Sequence, residues 1–260
     1  MDLQLKDKVV IVTGGAKGIG AAITRALAQE LAVPVILDRD TSAAENLRTE
    51  LSRHGSVSHF IEIDLCSAAD CVAAIERTLS VANRLNALVN NAGVNDGVGL
   101  EKGGPEEFAA SLGRNLLHYY NMAHYALPSL KAAKGAIVNI ASKVAFTGQG
   151  GTSGYAASKG AILALTREWA AELLPSGVRV NTIVPAEVMT PLYRQWLDTF
   201  QNPDEKLAAI VAKIPLGKRM TTAEEIAAMT IFLISAKSGH TTGQHVFVDG
   251  GYVHLDRALT

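Results

Sequence analysis

The turn that decides the fold reads Thr13-Gly14-Gly15-Ala16-Lys17-Gly18-Ile19-Gly20. A short β-branched run over Lys8–Val12 precedes it, as expected of a strand buried on both faces, and a helical pattern from Ala21 to Leu31 follows. Glycines here permit a tight turn and let backbone N–H groups approach a pyrophosphate, to which the helix N-terminus adds favourable partial charge. The spacing is Gly-x-x-x-Gly-x-Gly, and a purely structural turn is the alternative. Because the stretch joins a strand to a helix at the chain start, it favours nucleotide binding.

The rest of the chain alternates strand-like and helical segments. The predicted strands are Lys8–Val12, Val35–Leu37, Val57–Ile63, Leu85–Val89, Ala136–Ile140, Val178–Val184 and His245–Val248. The predicted later helices are Ala43–Leu51, Ala68–Leu79, Pro105–Leu127, Tyr155–Leu173 and Ala223–Ile234. This rhythm predicts an α/β fold, a doubly wound seven-stranded parallel sheet of the Rossmann type with helices on both faces. We expect one domain over residues 1–260, in which the proline-interrupted segment 189–216 forms a substrate lid.

Composition excludes several classes of function. The 260 residues carry 24 basic and 25 acidic side chains, so no basic surplus exists to bind nucleic acid. No apolar run approaches the roughly 20 residues that span a bilayer, and the acidic start Met1-Asp2 does not resemble a secretion signal. Cys66, Cys71 and the seven histidines follow no metal-ligand spacing. We therefore expect a cytoplasmic protein without a membrane or metal partner.

The end of the second predicted strand carries a candidate ribose ligand. Asp38 lies 18 residues after Gly20, close to the distance expected for an acid on the adenosine ribose hydroxyls. Its carboxylate would repel a 2′-phosphate and so favours NAD, whereas Arg39 and Lys17 could reach such a phosphate and leave NADP open. A helix cap or turn acid is the alternative role for Asp38.

A tyrosine and a lysine four residues apart form the candidate catalytic pair. Tyr155 and Lys159 share one face of a predicted helix. A phenol is a poor base at neutral pH, and a neighbouring ammonium should lower its pKa. Ser142 lies 13 residues upstream, just past a strand, where the carboxyl ends of parallel strands line a ligand crevice. We expect Ser142 to meet Tyr155 there, although a Tyr–Lys pair alone also arises by chance.

With these motifs the chain resembles the short-chain dehydrogenase/reductase family over essentially its whole length. The shared pieces are the glycine turn, Asp64, Asn90-Asn91-Ala92-Gly93, Asn115, Ser142, Tyr155-x-x-x-Lys159, Pro185 with Thr190, and Val248-Asp249-Gly250-Gly251. The resemblance implies an NAD(P)-dependent oxidoreductase, usually a homotetramer that pairs the Pro105–Leu127 and Tyr155–Leu173 helices across a two-fold axis. It implies that Tyr155 is the general acid/base, Ser142 binds the reacting oxygen, Lys159 holds the ribose and tunes Tyr155, and Asn115 anchors a proton-relaying water. The expected cofactor contacts are Gly14, Lys17, Gly18, Ile19, Gly20, Asp38, Arg39, Asp64, Leu65, Asn91, Ala92, Gly93, Tyr155, Lys159, Pro185, Val188 and Thr190.

One departure from the family pattern indicates the substrate. The family usually has Pro-Gly after the sixth strand, and this chain has Pro185-Ala186-Glu187. A carboxylate at that place can accept two hydrogen bonds from a vicinal diol, so it favours a polyol or sugar over a steroid or acyl chain. The alternative is that Glu187 faces solvent or pairs with Arg194. The expected substrate contacts are Asn95, Asp96, Ser142, Gln149, Tyr155, Glu187, Tyr193 and Trp196.

Two further segments refine the expected substrate. The Pro185–Pro191 loop and the ending Tyr252–Thr260 are similar to those of bacterial family members that oxidise L-fucose. This similarity implies oxidation of the anomeric carbon of L-fucose, or of L-galactose, to a lactone. The competing functions are reduction of a 3-oxoacyl thioester or another carbonyl on the same fold, and NAD(P) sensing without turnover. Sensors are expected to lose the tyrosine or the lysine, and both are present here.

Overall fold

Seven parallel strands form a single sheet in the order β3-β2-β1-β4-β5-β6-β7. The strands are β1 Val9–Thr13, β2 Val33–Asp38, β3 His59–Glu62, β4 Ala87–Asn90, β5 Ala136–Ile140, β6 Arg179–Pro185 and β7 His245–Val248. The computed structural model describes residues 1–255, so residues 256–260 of the C-terminal segment lie outside the described part. The strand order reverses between β1 and β4, and a crevice for a ligand forms at such a switch point, beyond the carboxyl ends of the strands.

Helices cover both faces of the sheet, as the sequence predicts. The helices are α1 Gly18–Gln29, α2 Thr41–Arg53, α3 Ala68–Ala82, α4 Pro105–Leu112, α5 His118–Ala133, α6 Ser153–Leu173, α7 Pro191–Leu197, α8 Pro203–Val211 and α9 Ala223–Ile234. On one face α3, α5 and α6 pack on side chains such as Ile11 and Leu88. On the other face α1 and α9 pack on side chains such as Val10 and Val138. Burial of each such aliphatic side chain contributes roughly 1.5–3 kcal/mol to the free energy of unfolding. These two layers therefore hold in place the sheet edge on which the site is built.

Three elements differ from the sequence prediction. The third strand is shorter than Val57–Ile63, because only His59–Glu62 pairs with β2. The helix predicted over Pro105–Leu127 consists of α4, a wider π turn at Gly113–Leu117, and α5. Segment 189–216 contains the two short helices α7 and α8, each of which has proline in its first turn. Proline fits there because the first helical N–H groups have no partner within the helix. Within residues 1–255, no helix is both long and apolar enough to cross a membrane.

Candidate active site

The glycine turn between β1 and α1 leaves a cradle that side chains would fill. Gly14 and Gly18 adopt φ values of 62° and 52°, in the left-handed region that favours glycine. A Cβ atom on Gly20 would come closer than 3.0 Å to the Gly14 carbonyl oxygen, which real Cβ atoms essentially never do. Asn91, at the end of β4, donates from Nδ2 to the carbonyl oxygens of Thr13 (2.9 Å) and Gly14 (3.2 Å). The amide of Asn91 thus holds the turn in shape.

Asp38 accepts backbone hydrogen bonds as a turn acid does, and its role toward a ribose stays a prediction. One carboxylate oxygen accepts from the Ala16 N–H of the glycine turn and the other from the Asp40 N–H, each at 3.0 Å. Each oxygen keeps a further lone pair, so the carboxylate can still accept from a ribose hydroxyl. Lys17 is ion-paired with Asp40, and hydrogen bonds from Lys17 and from the Ala43 N–H lower the pKa of that carboxyl. Arg39 is exposed.

Two loops bring the remaining expected cofactor residues to the same edge. A Cβ on Gly18 would lie 3.3 Å from the side chain of Thr190, so the loop after β6 crosses the glycine turn. In that loop Val188 is buried and forms an isolated β-bridge with Thr221, which fixes the position of the loop relative to the sheet. In the loop after β4, a Cβ on Gly93 would lie 3.1 Å from Asn115 Oδ1 and 3.4 Å from Lys159 Nζ.

The adenine-side residues are less constrained. Asp64 is exposed and accepts from the Cys66 N–H at 3.0 Å, while Leu65 packs against the core. Pro185 is buried at the end of β6, and Ile19 and Ala92 are partly buried.

The structure brings Ser142 and Tyr155 together as expected. Ser142 lies two residues after β5 and is buried, Tyr155 lies in the first turn of α6, and the Ser142 hydroxyl is near enough to the phenol to favour a lower pKa of Tyr155. Lys159, one turn further along α6, places Nζ 5.5 Å from the centroid of the Tyr155 ring. The same ammonium donates to the Ile140 carbonyl oxygen at 2.8 Å and to the Tyr119 hydroxyl at 3.0 Å. Lys159 therefore faces the tyrosine ring, and its hydrogen bonds go to β5 and α5.

Burial governs the protonation of this group. Burial raises the pKa of Tyr155 to about 12, against the opposing effect of the Ser142 hydroxyl. Burial also lowers the pKa of Lys159 to about 7. The expected acidification of the phenol by Lys159 is therefore not found in this structure, because desolvation of the hydroxyl is larger than any electrostatic effect of the amine.

Asn115 lies in the π turn and ties the loop after β4 to α4. Its Oδ1 accepts from the Val94 N–H at 2.7 Å, and its Nδ2 donates to the Ser111 carbonyl oxygen at 3.1 Å. The Arg114 carbonyl in the same turn lies 3.1 Å from His118 Nε2. Burial lowers the pKa of His118 to about 4, so a neutral ring donates this hydrogen bond. The π turn thus fixes the loop after β4 at the position where it meets Lys159.

Glu187 is buried and charged, and its partner is not Arg194. The carboxylate forms an ion pair with Lys143, the residue that follows Ser142, and both side chains are about one-tenth exposed. The same carboxylate, together with burial, raises the pKa of Tyr193 in α7, so the two side chains are neighbours. The Lys143 ammonium also lies 4.2 Å from the centre of the Tyr252 ring. Glu187 is thereby linked to the residue that follows Ser142, while Arg194 pairs at 3.0 Å with Asp198, the residue that follows α7.

The other expected substrate contacts differ in their surroundings. Asp96 accepts from Ser111 at 2.9 Å and from Arg114 at 2.6 Å, so its carboxylate is held by α4 and the π turn. Asn95 and Gln149 are exposed. Trp196 is 43% exposed and stacks edge-on between Tyr193 and Phe200.

Comparison with known proteins agrees with this arrangement. The sequence profile of the family described as enoyl-(acyl carrier protein) reductase matches residues 14–253. The L-fucose dehydrogenase of Mus musculus is 38% identical over 245 residues, which cover 94% of this chain and 88% of that protein. The chain belongs to the short-chain dehydrogenase/reductase family. It is an NAD(P)-dependent oxidoreductase that acts on CH–OH groups, like the dehydrogenases and reductases that it matches.

Two other members of the short-chain dehydrogenase/reductase family mark the range of similar proteins. The crystal structure of Cj0485 dehydrogenase superimposes with a TM-score of 0.95 at 46% identity, covering 100% of this chain and 99% of that one. The 3-oxoacyl-[acyl-carrier-protein] reductase FabG of Thermotoga maritima is 32% identical over 253 residues, which cover 96% of this chain and 100% of that protein. The family and fold are thus shared by proteins named for different substrates.

The residues present fit the nicotinamide dinucleotide that this family uses. The glycine cradle, the Asp38 carboxylate and the Val188–Thr190 loop line one continuous edge of the sheet, and Gly93 leaves room beside Lys159. Among residues 1–255, no group of three His, Cys, Asp or Glu side chains is placed to hold a metal ion.

Three residues at the site were missed by the sequence reasoning: Lys143, Tyr119 and Tyr252. Lys143 carries no local signal, because its partner Glu187 lies 44 residues away in the chain. Tyr119 and Tyr252 carry no signal either, since aromatic residues in a helix or a chain end more often pack in a core.

Proposed function

We propose that this enzyme oxidises the anomeric hydroxyl of an aldose, L-fucose or a similarly configured sugar such as L-galactose, to a lactone with NAD as the oxidant. The observation that carries the proposal is the buried Glu187 carboxylate on the loop after β6, which is ion-paired with Lys143, the residue that follows Ser142. A buried charge is costly, and a site for an acyl chain or a steroid would be more apolar. The similarity to L-fucose dehydrogenase of Mus musculus supports the same substrate class.

In the proposed mechanism, Ser142 and Tyr155 share the reacting oxygen. Ser142 donates a hydrogen bond to the anomeric oxygen, and the Tyr155 phenolate accepts the proton of that hydroxyl. A nicotinamide held by the glycine turn and the Val188–Thr190 loop would supply the hydride acceptor for C1, and its positive charge would favour the phenolate form of Tyr155. Lys159 holds its ammonium near the Tyr155 ring and keeps hydrogen bonds to Ile140 and Tyr119. We expect Asn115 to hold the proton-relaying water.

Asp38 supports NAD over NADP. A carboxylate that already accepts two backbone N–H groups is held rigidly at the end of β2, where it accepts from ribose hydroxyls and repels a 2′-phosphate. Lys17 forms an ion pair with Asp40. The exposed Arg39, next to Asp38 in the sequence, is then the cation that remains to contact a 2′-phosphate. We expect kcat/KM to be higher with NAD, and a preference for NADP would contradict this assignment.

A substrate panel tests the proposed function. Aldoses, including L-fucose, L-galactose, D-glucose and D-arabinose, are assayed with NAD and with NADP by nicotinamide absorbance, and the product is identified as lactone by NMR. Tyr155→Phe serves as the matched inactive control, since it removes one oxygen from the site. Turnover of L-fucose with lactone formation supports the proposal. Turnover of acyl thioesters without any sugar oxidation would refute it.

A second function, reduction of a 3-oxoacyl thioester, is favoured by the family description and by FabG of Thermotoga maritima. The exposed apolar side chains of Leu192, Trp196 and Leu216 around the lid would suit an acyl chain. The buried Lys143–Glu187 pair argues against it, because an acyl chain offers no hydroxyl to this pair. An assay with a 3-oxoacyl thioester and reduced cofactor decides between the two functions.

A homotetramer is the assembly that we propose. Leu117, Tyr120 and Tyr125 are exposed on the π turn and α5, which suits helix pairing across a two-fold axis. Sedimentation at several protein concentrations tests this, and a monomer at all of them would contradict it.

A further inference from the structure

We propose that Lys143 and Glu187 act as a single recognition unit that binds one hydroxyl group of the substrate by both its oxygen and its proton. The inference rests on the proposed function and deepens it, because it assigns Lys143 to substrate selection. The unit is an ion pair between the residue after Ser142 and the loop after β6, 44 positions apart in the chain. Lys143 directly follows Ser142 in the chain, and Glu187 lies two residues after the end of β6, the strand next to β5.

The hydrogen-bonding capacity of the pair matches a hydroxyl. A lysine ammonium has three donors, and Lys143 Nζ donates one hydrogen bond to Glu187. A carboxylate accepts about four hydrogen bonds, and Glu187 accepts the one from Lys143 on Oε1. A sugar hydroxyl accepts and donates at once. It can therefore accept a hydrogen bond from the Lys143 ammonium and donate one to the Glu187 carboxylate.

The energetics of burial also favour a functional role. Both side chains are about one-tenth exposed, and burying two charges costs about as much as their attraction returns. Apolar side chains of similar volume would stabilise the fold as well or better. Because the Lys143–Glu187 pair adds little stability, we assign it a role in binding substrate.

Aromatic side chains define where the hydroxyl can approach. The face of the Tyr252 ring lies 4.2 Å from Lys143 Nζ and covers one side of the ammonium. Tyr193 lies next to the Glu187 carboxylate on the α7 side. The Trp196 ring packs edge-on against the Tyr193 ring, with ring centroids 5.2 Å apart. Burial and the Glu187 carboxylate raise the pKa of Tyr193, so its hydroxyl stays protonated and donates. The pair is thus directed at a ligand that carries a polar group next to an apolar ring face, as a pyranose does.

The experiment combines variants of the protein with variants of the sugar. Wild type, Lys143→Met, Glu187→Gln and the double variant Lys143→Met/Glu187→Leu are assayed with L-fucose and with its 2-deoxy, 3-deoxy and 4-deoxy forms. We expect each single substitution to lower kcat/KM for L-fucose about 10- to 100-fold, the effect of losing a hydrogen bond to a charged group. For one deoxy sugar, the one that lacks the bound hydroxyl, the same substitutions should change kcat/KM less than twofold.

Two controls separate recognition from folding. Thermal unfolding and the affinity for NADH, measured by fluorescence, should match wild type in the double variant, because an apolar pair replaces a buried ion pair. The matched control Arg48→Met/Glu45→Leu removes an exposed ion pair on α2 and should leave kcat/KM unchanged for every sugar.

The outcomes distinguish the two proposals. A loss that disappears with one deoxy sugar supports both the function and the recognition unit. An equal loss with every deoxy sugar overturns the recognition unit and leaves sugar oxidation standing. A wild-type enzyme that oxidises cyclopentanol but no polyhydroxylated substrate overturns both.

Discussion

Replacing Lys159 with methionine should stabilise the folded protein while it removes activity. Lys159 is 2% exposed, and within residues 1–255 no carboxylate forms an ion pair with it. Burial lowers its pKa from the ordinary 10.5 to about 7. The unfolded chain therefore binds more protons than the folded one between these two values, and Lys159 makes the free energy of unfolding rise with pH across that window.

The size of the effect follows from these values. At about 1.4 kcal/mol for each pH unit, the penalty for burying this lysine is on the order of 4 kcal/mol at pH 7 and about 2 kcal/mol at pH 9. Methionine loses the two hydrogen bonds to Ile140 and Tyr119, which cost about 1 kcal/mol each. The Tyr119 hydroxyl still donates to the Ile140 carbonyl oxygen at 2.9 Å, so that group keeps a partner. The variant should be more stable than wild type by about 2 kcal/mol at pH 7 and about equal to it at pH 9.

Urea unfolding at fixed protein concentration measures this difference at pH 7, 8 and 9. Lys131→Met, which removes an exposed lysine of α5, is the control and should differ from wild type by the same amount at every pH. A Lys159→Met variant that is less stable than wild type at pH 7, with a difference that does not change with pH, would refute the assignment of a large burial penalty to this lysine.

Three other substitutions test separate parts of the site. Tyr155→Phe should lower kcat by about 10²- to 10⁴-fold, the usual contribution of general acid–base catalysis, with NADH affinity unchanged in a fluorescence titration; a wild-type rate would remove Tyr155 from the mechanism. Gly20→Ala places a Cβ against the Gly14 carbonyl oxygen, so NADH binding should be lost by more than tenfold while circular dichroism is retained; unchanged affinity would mean that the turn does not bind the cofactor. Tyr119→Phe removes a hydrogen-bond acceptor of Lys159 and should move the alkaline limb of the kcat–pH profile to lower pH by about one unit, with KM nearly unchanged; an unmoved profile would leave Tyr119 a packing residue.

The parts of the site that follow local rules were predictable from the sequence. Alternation of strands and helices predicts the parallel sheet, and a parallel sheet brings Ser142 after β5 next to the following helix with Tyr155. The helical spacing of four places Lys159 on the Tyr155 face. The π turn at Asn115 was not predictable, because one added residue hardly alters the apolar periodicity of a helix.

Contacts between distant loops were beyond local rules. Arg194 was the alternative partner considered for Glu187 because it is near in sequence, yet it pairs with Asp198, four residues further on at the end of α7, where helical geometry favours an ion pair. Lys143 reaches Glu187 because β5 and β6 are neighbours, which only the assembled sheet provides. The pKa of Tyr155 also depends on assembly, since burial outweighs the charge that the sequence suggested.

The π turn at Gly113–Leu117 sets the rotational phase of everything that follows it on α5. Deleting a single residue there would restore an ordinary helix and swing the downstream side chains about 100° around the axis. Tyr119 would then point away from Lys159 although every apolar residue remained in the sequence. Apart from Asn115, the segment should tolerate changes of residue type far better than changes of length, because its register, and not its hydrophobicity, connects the core to the chemistry.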